Sequence, residues 1–93
     1  MAWTLEYSDQ AIKQLSKLDR VVADRIDRYL AFVEDKDADP RQRGTALVGD
    51  LSGRWRYRVG GYRVLCSILD EKLIVLVLTA EKRETVYNRK RHR

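Results

Sequence analysis

Three arginines stand at every second position, Arg54, Arg56 and Arg58, in the run Gly53-Arg54-Trp55-Arg56-Tyr57-Arg58-Val59. A guanidinium stays charged in water and offers paired donors that match the oxygens of a phosphodiester. Strand side chains alternate between faces, so this spacing puts three cations on one side and Trp55, Tyr57 and Val59 on the other. Gly60-Gly61 then reads as a two-residue hairpin turn. With those glycines as the loop, Val59 pairs with Tyr62 and Arg58 lies directly opposite Arg63. Tyr62, Val64, Cys66 and Ile68 join the apolar face; Arg63, Leu65 and Ser67 share the arginine face. Like charges placed opposite one another weaken a sheet, and a polyanion would turn that cost into attraction. The plainer alternative is a solvated strand face.

Much chemistry lacks its residues. The single histidine, His92, lies next to the last residue, so a paired-imidazole ribonuclease mechanism is not expected. No Cys/His cluster has metal-binding spacing, and no glycine-rich loop resembles a phosphate cradle. Asp24 and Asp27, beside Arg25 and Arg28, read as solvated ion pairs on a helix. What remains is cationic: Arg54, Arg56, Arg58 and Arg63, then Lys82 and Arg83, with Tyr87 shortly after. RNA cleavage without a metal needs the 2′-hydroxyl in line with the departing 5′-oxygen, and balanced charge on the phosphoryl oxygens. It also needs one group to take the 2′-proton and another to protonate the leaving oxygen. Guanidiniums supply the charge balance and a tyrosine can stack on a base. Arginine is a poor proton acceptor, because its pKa exceeds about 12.

The elements that must hold these groups follow from periodicity. Residues 2–7 alternate as a short strand. Ser8 or Asp9 caps a helix with Ala11, Ile12, Leu15 and Leu18 on one face. Asp19 caps a second, carrying Val22, Ile26, Leu30 and Val33, which Asp39-Pro40 ends. Residues 41–53 form a loop that Leu47 and Leu51 tack to the core. After the hairpin, Asp70-Glu71 makes a turn. Residues 73–80 are apolar almost throughout, as for a central strand buried on both faces. Residues 81–93 form a short basic element, with 88–93 as a tail. The expected fold is α+β: an N-terminal strand, an antiparallel helical hairpin, then a mostly antiparallel four-stranded sheet, all in one domain spanning 1–93.

Composition agrees with an acidic partner. The formal net charge is +5 over 93 residues. Residues 1–53 carry 8 Lys/Arg against 10 Asp/Glu, whereas residues 54–93 carry 11 against 4. Such asymmetry points the second half toward nucleic acid or an acidic protein. One cysteine, Cys66, rules out an internal disulfide and falls on the apolar face, where burial is expected. There is no apolar leader, and residues 73–78 are too short to span a bilayer. The expected location is the cytoplasm, with no membrane partner.

Four runs carry a resemblance: Asp39-Pro40-Arg41, Leu47-Val48-Gly49-Asp50-Leu51-Ser52-Gly53, residues 55–64 from Trp55-Arg56-Tyr57-Arg58 through Gly60-Gly61-Tyr62-Arg63-Val64, and Lys82-Arg83-Glu84-Thr85-Val86-Tyr87. Together they look like the RelE/ParE toxin superfamily, most of all its RelE branch. The resemblance implies the toxin of a toxin–antitoxin pair. Such a toxin acts in the ribosomal A site and cuts the mRNA there, leaving a 2′,3′-cyclic phosphate and a 5′-hydroxyl. It implies no metal or cofactor, a RelB-like antitoxin as partner, and contact with DNA only through that antitoxin. By the same resemblance Arg58 stands where the family has a general-base lysine, and Arg56 where it has a phosphate-contacting lysine. Arg63 matches the residue that stabilises the transition state, Arg83 the acid, and Tyr87 the stacking tyrosine. Arg54 and Lys82 are further phosphate-binding cations. Arginine in place of lysine at 56 and 58 preserves phosphate binding and puts proton abstraction in doubt. A ParE-like toxin that blocks DNA gyrase by binding, and a basic RNA-binding module without catalysis, are the alternatives.

Overall fold

In the computed structural model, which describes residues 2–82, strand β1 (Thr4–Tyr7) leads into helix α1 (Asp9–Ser16). Ser8 caps α1: its hydroxyl accepts from the Ala11 N–H at 3.0 Å and satisfies one of the orphan donors of the first turn. Helix α2 (Arg20–Leu30) follows, and a 3₁₀ turn at Ala31–Glu34 carries Val33 and Phe32 inward. The helical hairpin is as expected, although Val33 reaches the core from the tighter turn and not from α2 itself. Ile12 departs from its expected place in the core and is 54% exposed.

Five strands form the sheet, in the order β1-β5-β4-β3-β2. They are β2 (Thr45–Ala46), β3 (Trp55–Val59), β4 (Tyr62–Leu69) and β5 (Ile74–Lys82), with β1 parallel to β5 and the other pairs antiparallel. The fifth strand, β2, lies inside the stretch read as loop. Two residues are too few to show alternation, which is why the pattern hid it. The helices cover one face. Ala11, Ile26, Leu30, Phe32 and Val33 pack there against Tyr57, Val59, Val64, Cys66, Val75, Val77 and Ala80.

The opposite face has no second layer among the described residues, so β5 is fully buried on its helix side only. Ile74, Leu76, Leu78 and Thr79 remain half-buried. Leu47 and Leu51 do not tack their loop to the core. They overhang this open face, Leu51 at 49% exposure, with Val48 beside them at 85%.

That loop is anchored at its base. The Tyr57 hydroxyl donates to the Pro40 carbonyl at 2.6 Å, and Trp55 Nε1 donates to the Arg43 carbonyl at 2.8 Å. Arg41 grips Asp70 with two 2.9 Å hydrogen bonds, joining the loop to the β4–β5 turn. Gly44 permits the close approach: its φ is +86°, and a Cβ there would lie 2.5 Å from both the Arg56 carbonyl oxygen and Trp55 Nε1.

Candidate active site

The β3–β4 register is the one expected from Gly60-Gly61: Val59 faces Tyr62 and Arg58 faces Arg63. Gly60 has φ +60° and Gly61 is not in the left-handed region, the pattern of a II′ turn. Tyr57, Val59, Val64 and Cys66 are buried beneath the helices, which forces their alternate neighbours onto the open face. Arg56 is half-buried, and Arg58 and Arg63 are exposed.

Two hollows meet at Arg56. One, of about 160 Å³, lies on the open face, with Arg56, Arg63, Leu65, Thr79 and Glu81 as its floor and Leu47 and Leu51 as its rim. The other, of about 370 Å³, opens at the β3 edge that the short β2 leaves uncovered. Tyr29, Gly44, Thr45, Arg56 and Arg58 line it. Arg54 stands at the entry to β3, where its N–H donates to the Leu51 carbonyl and its carbonyl accepts from Leu47. Four arginines thus flank one overhanging loop, with Arg56 shared between the hollows.

Lys82 does not join them. Its Cα partner is Tyr62, so it lies on the helix side of the sheet, and Glu81 lies opposite Arg63 on the arginine face. The cause is a bulge. Leu65 pairs with Thr79 and Cys66 with Val77, leaving Leu78 as an extra residue that exchanges the two faces of β5. Straight alternation from Val75 and Val77 would have put Lys82 among the arginines. Side chains of α1 satisfy the backbone groups beside the bulge. Ser8 Oγ donates to the Leu78 carbonyl at 3.0 Å, and the Ala80 N–H donates to Gln14 Oε1 at 2.8 Å. Arg83, Tyr87 and the basic tail lie outside the described residues. Sequence reasoning missed Glu81, and an apolar run offers no sign of where a bulge falls.

The remaining titratable groups are structural. Burial pushes the Cys66 thiol up to about 12, which removes it as a nucleophile. Burial also raises the Tyr7 phenol, and the 2.6 Å hydrogen bond it donates to Asp27 reinforces the shift. Asp27 is therefore a partner of β1 and not simply a solvated neighbour of Arg28. The hydrogen bonds from Arg41 hold Asp70 below the usual carboxylate range. Among the described residues, no group of three or more His, Cys, Asp or Glu side chains could hold a metal ion, and no helix is long and apolar enough to cross a membrane.

Among the described residues, a single helical hairpin over one sheet face, with the other face open and lined with arginine, defines a small basic α+β domain. Comparisons with known proteins give it a family. The profile for the ParE toxin of type II toxin–antitoxin systems (parDE) matches residues 5–87. The chain is 31% identical to the mRNA interferase toxin RelE of Escherichia coli K12 over 85 residues, 90% of this chain and 86% of that one. It is 32% identical to toxin RelG of Mycobacterium tuberculosis over 90 residues, 96% of this chain and all of that one. The fold superposes on the M. tuberculosis RelBE2 toxin–antitoxin complex with a TM-score of 0.73 at 26% identity, covering 89% of this chain and 93% of that one. The chain belongs to the RelE/ParE superfamily of type II toxin–antitoxin toxins, and its resemblance is to the RelE branch.

Proposed function

We propose that this protein is a ribosome-dependent endoribonuclease that cuts mRNA in the A site and is neutralised by a RelB-like antitoxin. The observation that carries the reading is the cluster of Arg56, Arg58 and Arg63 around two hollows that meet at Arg56, with Arg54 at the entry to the same strand. A scissile phosphodiester meets guanidiniums there from two adjacent strands. They balance charge on the phosphoryl oxygens as the 2′-oxygen attacks and the 5′-oxygen leaves. Arg63 acts on the transition state, Arg56 and Arg58 hold the flanking backbone, and Arg54 extends the contact with RNA, while Lys82 is left out by the bulge in β5. Arg83 protonates the leaving oxygen, and Tyr87 stacks on a base. The relatives named mRNA interferase and the antitoxin-bound relative support this reading. The ribosome presents the message to these arginines in attack geometry.

Primer extension on translated mRNA after induction tests it. Codon-phased 5′ ends that vanish in Arg63→Ala are expected; intact message during growth arrest overturns the reading. Because the matching profile is that of ParE toxins, gyrase inhibition is the second reading. Inhibited supercoiling in vitro with translation unaffected would establish it instead.

A further inference from the structure

We propose that Glu81 is the general base of the cleavage step, an assignment that rests on the chain being an RNA-cutting toxin. The attack requires a proton acceptor, and the arginines at 56 and 58 cannot serve. Of the side chains around the open-face hollow, Arg56 and Arg63 are donors, Leu47, Leu51 and Leu65 are apolar, and Thr79 offers a weakly basic hydroxyl. Among the described residues Glu81 is the one carboxylate there, directly across from Arg63.

Its place is built into the fold. The bulge at Leu78 turns Glu81 toward the arginines and Lys82 away, and Ser8 and Gln14 hold the strand in that register. A carboxylate there could serve merely to relieve the repulsion between Arg58 and Arg63. Yet no salt bridge engages Glu81 with Arg63 among the described residues.

The step balances without a co-reactant. Glu81 takes the ribose 2′-proton as the 2′-oxygen bonds to phosphorus. The bond from phosphorus to the 5′-oxygen breaks, its electron pair goes to that oxygen, and a proton restores the 5′-hydroxyl. The cyclic phosphate departs, and Glu81 returns its proton to water.

Single-turnover cleavage on ribosomes programmed with a defined mRNA tests the assignment. Wild type should cut, and a 2′-deoxy nucleotide at the scissile position should stop it. Glu81→Gln should lower the rate at saturating toxin by about 10²–10³-fold, with ribosome affinity changed less than about threefold. Glu81→Ala should regain at least about tenfold in formate, which supplies the missing acceptor. A Glu81→Gln protein that cuts at the wild-type rate, a loss confined to affinity, or a Glu81→Ala protein indifferent to formate overturns the assignment and leaves the nuclease reading standing. A wild-type protein that leaves the message intact removes both.

Discussion

Arg58 on β3 faces Arg63 on β4 across the hairpin, and Glu81 on β5 faces Arg63 from its other side. The row therefore runs cation, cation, anion across three strands of the sheet. Cross-strand partners lie within roughly 5 Å at Cβ, close enough for like charges to oppose folding. Two guanidiniums held there keep this part of the sheet strongly cationic.

Removing Arg63 should separate these roles. Arg63→Ala is expected to lower mRNA cleavage by about 10²–10³-fold, the scale of losing one transition-state donor. Its thermal midpoint should equal or exceed that of wild type, because the side chain is exposed and its loss relieves repulsion. Calorimetry beside primer extension checks both. A large drop in melting temperature would show that Arg63 is structural.

The loop over the site depends on one buried hydroxyl. Tyr57 is fully buried and donates to the Pro40 carbonyl. Tyr57→Phe keeps the ring in its edge contacts with Tyr29 and Phe32 but strands that carbonyl. The expected loss is about 1–3 kcal/mol in urea unfolding. Cleavage should fall as well, since residues 41–53 lose an anchor beneath Leu47 and Leu51. Unchanged stability would mean that water replaces the bond.

Cys66 gives a pH prediction. Burial raises its thiol from an ordinary 9.0 to about 12, so the folded state disfavours the thiolate. For a group raised on folding, the associated stability is complete below the unfolded value and is lost as pH climbs from 9.0 toward 12. Iodoacetamide at pH 8–9 should leave the native protein unmodified and label it at once in urea. Cys66→Ser, which brings a hydroxyl into the core, should lower stability while abolishing the alkaline component of the loss.

The hairpin was legible because two glycines between alternating runs leave one register, and that register fixes Arg58 opposite Arg63. The helices were legible from their period and from Ser8. Three features were not. Strand β2 spans two residues and carries no pattern. Leu47 and Leu51 are apolar, so they read as core, although they rim a hollow on the face away from α1 and α2. Glu81 was hidden because an apolar strand does not declare its faces, and the bulge is set by Ser8 and Gln14, some seventy residues earlier in the chain. The arginine half of the site was thus written locally, and its acidic member depended on a tertiary contact.

That contact yields the last prediction. Gln14 Oε1 accepts the Ala80 N–H at 2.8 Å, immediately before Glu81. Gln14→Leu conserves most of the side chain's bulk but leaves a part-buried donor unpaired, a loss of about 1–3 kcal/mol. If β5 relieves the orphan by closing the bulge, every residue after Leu78 changes face: Ala80 comes opposite Arg63, and Lys82 replaces Glu81 on the arginine face. Cleavage should then fall further than stability alone explains, at temperatures where the variant is fully folded. Amide exchange at Ala80 and a cross-strand nuclear Overhauser contact of residue 63 with residue 80 in place of residue 81 would report the shift. Full activity in a folded Gln14→Leu protein would show that the sheet holds its register without help from α1.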